Sequence, residues 1–294
     1  MQNKTLICFI LFILSKLYII SICAQSPYNL DTRANIFIDN ALVECIYTYT
    51  VNAPLKSDAS QKQTLEYITI LQSNGSVSKF WDWHLFKRDS IVYTSVNPLS
   101  RDSLNKLNWK YNFNIENLFT PIVFKNYQNN KFTVTDEVTF SSYCYIEKYA
   151  DIEWKLSGDT ATVCGYVCHK AVTNYGGKEW TVWYAMDIPT NDGPWKLSGL
   201  PGLILKAEDN ANTHTFEAIT VRNTERPIYI MQDASQIKID KKHYLREKMY
   251  FENLDTDDII DVDNFDVKPD TKTMLIDGKR LSISRKIKYC PLEK

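Results

Sequence analysis

Short segments in which apolar and polar residues alternate constrain the fold of this chain more than any other feature. In residues 180–188, an extended backbone would place Trp180 and Tyr184 on the same face. Residues 42–51 alternate in the same way. Aromatic side chains make up 13% of the chain and also favour strands. The pattern is therefore typical of β-structure in which one face of each strand is buried.

Similar short segments recur along the chain and are separated by turns. Asn74 and Gly75 are a hairpin signal between two of them, because both residues tolerate a positive φ. We predict further strands at residues 64–71, 77–81, 131–139, 142–147, 152–156, 161–172, 203–209, 213–221 and 281–289. Strands of this length and spacing predict a mainly β fold, with a curved antiparallel sheet or an incomplete β-barrel.

Helical signals are few and brief. Residues 100–107 begin with Ser100, a preferred N-cap residue, and residues 235–250 predict a second short helix. No linker rich in Pro, Gly and Ser divides the chain. We therefore predict a single β-rich domain over residues 25–294.

The first residues are typical of a secretory signal peptide. Lys4 precedes the apolar run 6–14, and small residues follow near Cys23 and Ala24. Lys16 interrupts the apolar stretch, which makes it a poor membrane-spanning helix. We predict a signal peptide over residues 1–24 and a location in the periplasm or at the outer membrane. A retained anchor and lipidation of Cys23 remain alternatives.

Charge and hydropathy limit the partners. A formal net charge of −1 provides no electrostatic basis for binding phosphates, so we expect no nucleic acid partner. No segment after the signal is long enough to span a bilayer. The acidic stretch at residues 252–270 lacks the mid-loop Gly of an EF-hand, which favours a solvated loop over a calcium site.

The cysteines leave the thiol chemistry open. Residues after the signal include an odd number of cysteines, so at least one thiol is free or pairs with another chain. On one continuous strand, Cys164 and Cys168 would lie roughly 13 Å apart, too far for a disulfide unless Gly165 breaks the strand. His169 beside them suggests a soft metal, but on a strand its side chain points away from both thiols.

Enzymatic motifs are not found. The sequence contains no nucleophile elbow, zinc-protease motif, P-loop or dinucleotide-binding motif. Ser198 lies in a glycine-rich loop, where a serine is usually a turn residue. We therefore assign no catalytic residue and expect no cofactor. For a metal, the only candidates are Cys164, Cys168 and His169.

The most informative block covers residues 179–209. Its hexapeptide G-L-P-G-L-I, residues 199–204, and the preceding D-I-P and G-P-W resemble the signature of the GLPGLI family. The strand segment G-Y-V-C-H-K-A, residues 165–171, is similar to a second motif of that family. The residues that carry the resemblance are Tyr166, Cys168, Lys170, Asp187, Pro189, Gly193, Pro194, Gly199, Leu200, Pro201, Gly202, Leu203 and Ile204.

The resemblance implies an exported envelope protein of Bacteroidota with no established activity. It also implies a bent sheet similar to the half-barrel of LolA-like lipoprotein carriers. Two interpretations of the block itself stay open: a buried loop that covers one face of the sheet, or the wall of a cavity for an apolar ligand. For the second, the candidate ligand-binding residues are Trp180, Trp183, Tyr184, Trp195, Leu200 and Leu203.

Three functional hypotheses follow from these observations. The first is a non-enzymatic binding or accessory protein for an apolar ligand, a peptide or an outer-membrane partner. The second is a metal- or redox-active envelope protein that uses Cys164, Cys168 and His169. The third is an uncharacterised hydrolase.

Overall fold

One large β-sheet organises this chain. It is seen in a computed structural model that describes residues 34–95, 99–113, 117–138, 141–149, 151–232, 236–253, 273–276, 279–282 and 288–293. The predicted signal peptide and most of the predicted acidic loop lie outside the described residues.

The described residues contain sixteen strands and three α-helices. The strands are β1 Ala34–Asn40, β2 Val43–Pro54, β3 Lys62–Ser73, β4 Val77–Asp82, β5 Ile122–Asn126, β6 Lys131–Val138, β7 Ser141–Lys148, β8 Lys155–Val163, β9 Tyr166–Tyr175, β10 Lys178–Ala185, β11 Leu203–Asp209, β12 His214–Asn223, β13 Pro227–Gln232, β14 Ile237–Lys238, β15 Thr273–Ile276 and β16 Lys279–Ser282. The helices are α1 Trp83–Thr94, α2 Arg101–Asn108 and α3 Lys241–Asn253, and one π-helical turn, Trp109–Phe113, follows α2.

Twelve strands form the main sheet in the order β14-β7-β6-β5-β4-β3-β2-β12-β11-β10-β9-β8. Every neighbouring pair is antiparallel except β14 and β7. The sheet is curved and does not close, because β14 and β8 remain as its two edges. The predicted mainly β fold with a curved antiparallel sheet and a few short helices is confirmed. Two further strand pairs, β1–β13 and β15–β16, lie outside this sheet.

The two faces of the sheet bury different sets of side chains. One face carries Tyr47, Phe80 and Phe216 in the largest hydrophobic cluster, and we call it the core face. The other face carries Ile70 and Trp81, and we call it the outer face. Alternation along β4 explains the division, because Phe80 and Trp81 are successive residues and point to opposite sides.

Helix α1 and the β1–β13 pair cover part of the outer face. Leu85 and Phe86 of α1 pack with Trp81, while Ile228 of β13 packs with Val77 and Phe124. Helix α3 lies over the core face through Tyr244. No helix in the described ranges is long and apolar enough to cross a membrane.

One predicted strand is in fact a hairpin. We predicted a continuous strand over residues 161–172, but β8 ends at Val163 and β9 begins at Tyr166. Cys164 and Gly165 form the turn between them with φ values of 52° and 84°. Positive φ at both turn residues matches the right-handed twist of the flanking strands. A left-handed cysteine is uncommon, so the residue types at this turn are a weak signal for it.

Candidate functional site

The glycine-rich block forms a loop, residues 186–202, between β10 and β11, and the central part of this loop is buried. Residues 192–198 are all buried, and Trp195 and Leu197 join the hydrophobic cluster of the core face. Trp154 donates a hydrogen bond from its indole Nε1 to the carbonyl oxygen of Ser198 at 3.0 Å. The loop thus covers the core face and contributes to its packing.

A buried ion pair holds this loop on the sheet. Lys125 of β5 places its Nζ 2.6 Å from Asp192 Oδ1 and donates a hydrogen bond to the Gly193 carbonyl oxygen at 2.8 Å. Ser73 of β3 donates to Asp192 Oδ2 at 2.9 Å. Burial lowers the pKa of the Lys125 ammonium, and the adjacent Asp192 partly offsets that shift. Lys125 therefore has a structural role, since its charge is used within the fold.

The loop also brings backbone segments too close together for side chains. A Cβ added to Gly202 would lie 2.2 Å from the carbonyl oxygen of Ala185. Gly199 has a φ of 94°, which glycine adopts without strain. These contacts account for two glycines of the hexapeptide by packing and backbone conformation.

We expect Gly202→Ala to lower the free energy of unfolding by about 2 kcal/mol, because the added methyl group has to displace backbone atoms. Chemical denaturation followed by tryptophan fluorescence would measure the loss. Gly158→Ala is the matched control, because a Cβ there meets no atom within 4 Å and should leave stability nearly unchanged. Equal stability of the two variants would contradict the close contact at Gly202.

The six predicted ligand-binding residues do not line one open site. Trp180, Tyr184, Leu200 and Leu203 are buried in the core cluster, and Trp183 is half-buried beside Lys170. Only Trp195 among the six borders a cavity of about 110 Å³ on the core face. That volume is below the roughly 300 Å³ at which sites for drug-sized ligands begin. Their role in ligand binding stays a prediction.

Glu293, which borders the core-face cavity, belongs to a cluster of opposite charges. Lys196 contacts Glu293 at 2.5 Å and Glu147 at 2.5 Å, and Lys241 contacts both carboxylates at 2.8 and 2.6 Å. The two lysines hold the pKa of the Glu293 carboxyl below its usual value, although burial acts in the opposite direction. Because each charge has an opposite neighbour, this cluster fastens residues 288–293 to the sheet.

The thiols do not form a common site with His169. Cys45, Cys144, Cys164, Cys168 and Cys290 are all free thiols. Burial raises the pKa of Cys168 to about 11, so at neutral pH it is a thiol rather than the thiolate that binds metals. His169 instead lies against Tyr184, with ring centroids 5.9 Å apart. Across the described ranges, no three His, Cys, Asp or Glu residues converge in a metal-binding arrangement.

The outer face carries a larger opening, which we call the outer groove. Its volume is about 420 Å³, within the usual range for small-molecule sites. The floor comes from the sheet, and the two walls come from α1 and β13. The lining residues used below are Gln72, Lys79, Trp81, Trp83, Phe86, Lys87, Asp89, Ser90, Tyr93, Arg222, Arg226 and Tyr229.

Helix α1 is positioned by a buried aspartate. Asp82 Oδ1 accepts hydrogen bonds from the backbone N–H groups of His84 at 2.7 Å and Leu85 at 3.1 Å. Asp82 Oδ2 accepts from the N–H of Phe119 at 3.1 Å. The helices predicted from the sequence did not include α1, although an aspartate directly before it is an N-cap signal. Without α1, the groove has only one wall.

Aromatic rings form much of the groove surface. Trp83 stacks on Phe86 with ring centroids 5.1 Å apart, and Trp81 meets the edge of Phe86 at 5.9 Å. On the other side, Tyr93 of α1 stacks on Tyr229 of β13 at 4.4 Å. These contacts fix the planes of the rings, so the groove presents rigid flat surfaces.

The polar groups of the groove are also fixed. Glu44 is fully buried and accepts hydrogen bonds from Arg222 Nε at 2.7 Å and from Gln72 Nε2 at 3.2 Å. Asp89 accepts two hydrogen bonds from Arg88 through its Oδ1, at 2.8 and 2.6 Å. Because carboxylates hold these donors in place, their remaining N–H groups keep constant directions.

Lys79 on the groove floor differs from these residues. Its side chain is 6% exposed, and its Nζ lies 3.4 Å from the centroid of the Trp81 ring. Burial lowers the pKa of Lys79 to about 8, and the opposing effect of Asp89 is smaller. Within the described part of the chain, no carboxylate forms an ion pair with this ammonium.

The hydroxyl group of Ser90, on the lining of the outer groove, is engaged within α1. Ser90 Oγ donates a hydrogen bond to the carbonyl oxygen of Phe86, one turn earlier in the helix, at 2.8 Å. A serine bonded in this way is not activated by a base. Flat rings with fixed donors between them fit a ligand with apolar faces and polar substituents.

Comparison with known proteins gives one family. Residues 90–246, more than half of the chain, match the profile described as "N-glycanase peptide, N-terminal domain". The resemblance to the GLPGLI family was wrong, because the matching profile is that of a different family. The hexapeptide is explained instead by the packing of residues 186–202. No curated protein matches the chain.

Two solved structures of PNGF-II, in the P21 and C2 space groups, resemble the fold. Each is 18% identical to this chain, with TM-scores of 0.45 and 0.44. The match covers 72% of this chain but only 34% and 33% of those proteins. The chain therefore spans about a third of the length of the structures it matches.

Proposed function

Because the chain belongs to the family of the N-glycanase peptide N-terminal domain, we propose that it is an exported, non-enzymatic accessory protein that binds saccharides in the outer groove. The observation that carries this proposal is the pair of fixed aromatic stacks, Trp83–Phe86 and Tyr93–Tyr229, facing one opening. Export rests on the predicted signal peptide, and the cell envelope is the proposed location.

The chemistry of the groove supports a saccharide. A sugar ring presents C–H groups on its faces and hydroxyl groups around its edge. The faces suit the exposed parts of Trp83 and Tyr93, while the hydroxyl groups suit the fixed N–H donors of Arg222 and Gln72. An apolar lipid would leave these donors without partners, which would cost affinity.

The family supports the same class of ligand. Its description names an N-glycanase, and the matched region includes the last residues of α1, 90–94, together with β12 and β13. These elements supply one wall of the groove and part of its other wall and floor, whereas Trp83, Gln72 and Lys79 precede the matched region.

We expect Trp83→Ala to weaken saccharide binding at least tenfold, because a lost aromatic stack on a bound ring costs about 1.4 kcal/mol or more. A glycan array would identify a ligand for the mature protein, and isothermal titration calorimetry would then measure its Kd for both proteins.

Tyr250→Ala is the matched control for this experiment. Tyr250 is an aromatic residue on α3, is 59% exposed and lies outside the groove. Its replacement should leave the Kd unchanged. A mature protein that binds no saccharide on the array, or a Trp83→Ala variant with unchanged affinity, would rule out this function for the groove.

A further inference from the structure

The floor of the outer groove contains an ammonium group that no carboxylate of the described residues pairs with. Arg222, Glu44, Gln72 and Lys79 occupy one cross-strand row over β12, β2, β3 and β4. Three of them are joined by hydrogen bonds centred on Glu44. Lys79 ends the row on the other side of Gln72, and its Nζ contacts the Trp81 ring instead of a carboxylate.

The nearby carboxylates are already engaged. Glu44 accepts hydrogen bonds from Arg222 and Gln72 and lies 3.6 Å from Arg226. Asp89 is held by Arg88, 2.6 Å away in the same turn of α1. Lys87 adds a further positive charge at the rim, 5.8 Å from the Trp83 ring. Positive charge therefore exceeds negative charge along the groove lining.

Burying an ammonium without an anionic partner is costly to a protein. The aromatic face of Trp81 compensates part of that cost. An anionic group bound in the groove would supply the missing partner. Binding of that group would be favoured because it removes the cost of the unpaired ammonium.

We propose that the outer groove selects acidic saccharides, with an anionic substituent of the sugar bound by the ammonium of Lys79. The aromatic walls hold the sugar ring, and Lys79 at the floor donates hydrogen bonds to its carboxylate or sulfate. This inference rests on the proposed saccharide function and specifies its substrate class.

The expected result is a preference for acidic glycans that depends on Lys79. On an array with neutral, sialylated, uronate-containing and sulfated glycans, the mature protein should bind at least one acidic class. In calorimetry, that glycan should bind at least tenfold more tightly than its neutral parent. A hydrogen bond to a charged group contributes at least about 1.4 kcal/mol, which corresponds to a tenfold change in Kd. Lys79→Met should abolish the difference.

The pH profile gives a second measurement. Affinity for the acidic glycan should be constant between about pH 5 and 7, where its carboxylate is ionised and Lys79 is protonated, and fall as the pH rises past about 8, where Lys79 loses its proton. Other charged or titratable groups around the groove are Asp89, Arg88 and Lys87 on α1, Glu44, Arg222 and Arg226 on the sheet side, and Tyr93 and Tyr229 on the walls. The Lys79→Met variant distinguishes the titration of Lys79 from that of these groups, because the fall in affinity caused by Lys79 should be absent in the variant.

The controls separate this inference from the function on which it rests. Lys79→Met should fold with an unchanged or higher Tm, since it removes a buried charge, and its affinity for the acidic glycan should fall to the level that the unmodified protein shows for the neutral parent. If the mature protein binds no glycan at all, the proposed function fails. If it binds neutral and acidic glycans equally, or if Lys79→Met keeps the preference, saccharide binding stands and the role of Lys79 is overturned.

Discussion

Replacing Asp192 by alanine should lower the free energy of unfolding by about 3–5 kcal/mol, the cost of leaving a buried charge without its partner. Lys125 is fully buried and has Asp192 as its ion-pair partner, 2.6 Å away. The same aspartate accepts hydrogen bonds from Ser73 and from the backbone N–H of Gly193. The substitution thus removes the side-chain contacts that residue 192 makes with β3 and β5. Urea denaturation, followed by circular dichroism, measures the effect.

A double variant tests the cause of this loss. Lys125→Met combined with Asp192→Asn removes both charges but keeps an acceptor for Ser73 and Gly193. It should therefore be more stable than Asp192→Ala alone. Asp159→Ala is the control, because Asp159 forms an exposed ion pair with Lys170 that should contribute nothing measurable. A small effect of Asp192→Ala would show that packing alone holds the loop.

Many strands of the sheet were predictable from the sequence, because alternation of apolar and polar residues indicates which side chains of a strand are buried. No strand was predicted at β5, and the strand predicted over residues 152–156 overlaps only the start of β8. Alternation in residues 42–51 and 180–188 identified β2 and β10 closely. The Asn74–Gly75 turn joins β3 to β4 as its residue types predict. Ser100 caps α2, accepting a hydrogen bond from the N–H of Ser103. These features are determined by residues that are close together in the chain, so the local sequence is enough to predict them.

The turn at Cys164 and the helix α1 were missed for different reasons. The turn uses a left-handed cysteine, which has no strong preference for that conformation. Helix α1 begins directly after β4 ends, so its apolar residues look like a continuation of the strand. Asp82 is both the last residue of β4 and the N-cap of α1, so the alternation before it favours a strand while its residue type favours the start of a helix.

The outer groove could not be predicted from local sequence. Gln72 and Lys79 lie on β3 and β4, while Arg222 and Tyr229 lie about 150 residues later on β12 and β13. Only the strand order, which places β12 beside β2, brings them together. The most distinctive letters of the sequence, residues 199–204, instead serve the packing of the core face. The most distinctive sequence motif therefore lies apart from the proposed binding site.

Asp82→Ala should lower the free energy of unfolding by about 3–4 kcal/mol and abolish saccharide binding in the groove. The buried carboxylate accepts hydrogen bonds from three backbone N–H groups, on His84, Leu85 and Phe119. Its removal leaves the first turn of α1 without a cap and Phe119 without an acceptor. Because α1 carries Trp83 and Tyr93, loss of its position removes one wall of the groove.

Ser100→Ala is the matched control, because Ser100 caps α2 at an exposed site and its loss should cost only about 1 kcal/mol. Denaturation would compare the stabilities, and calorimetry with the glycan found on the array would compare the affinities at a temperature where both variants are folded. Asp82→Ala should lose binding while Ser100→Ala retains it. If Asp82→Ala folds and binds normally, the position of α1 does not depend on its cap, and the groove is held by the packing of Leu85 and Phe86 against the sheet.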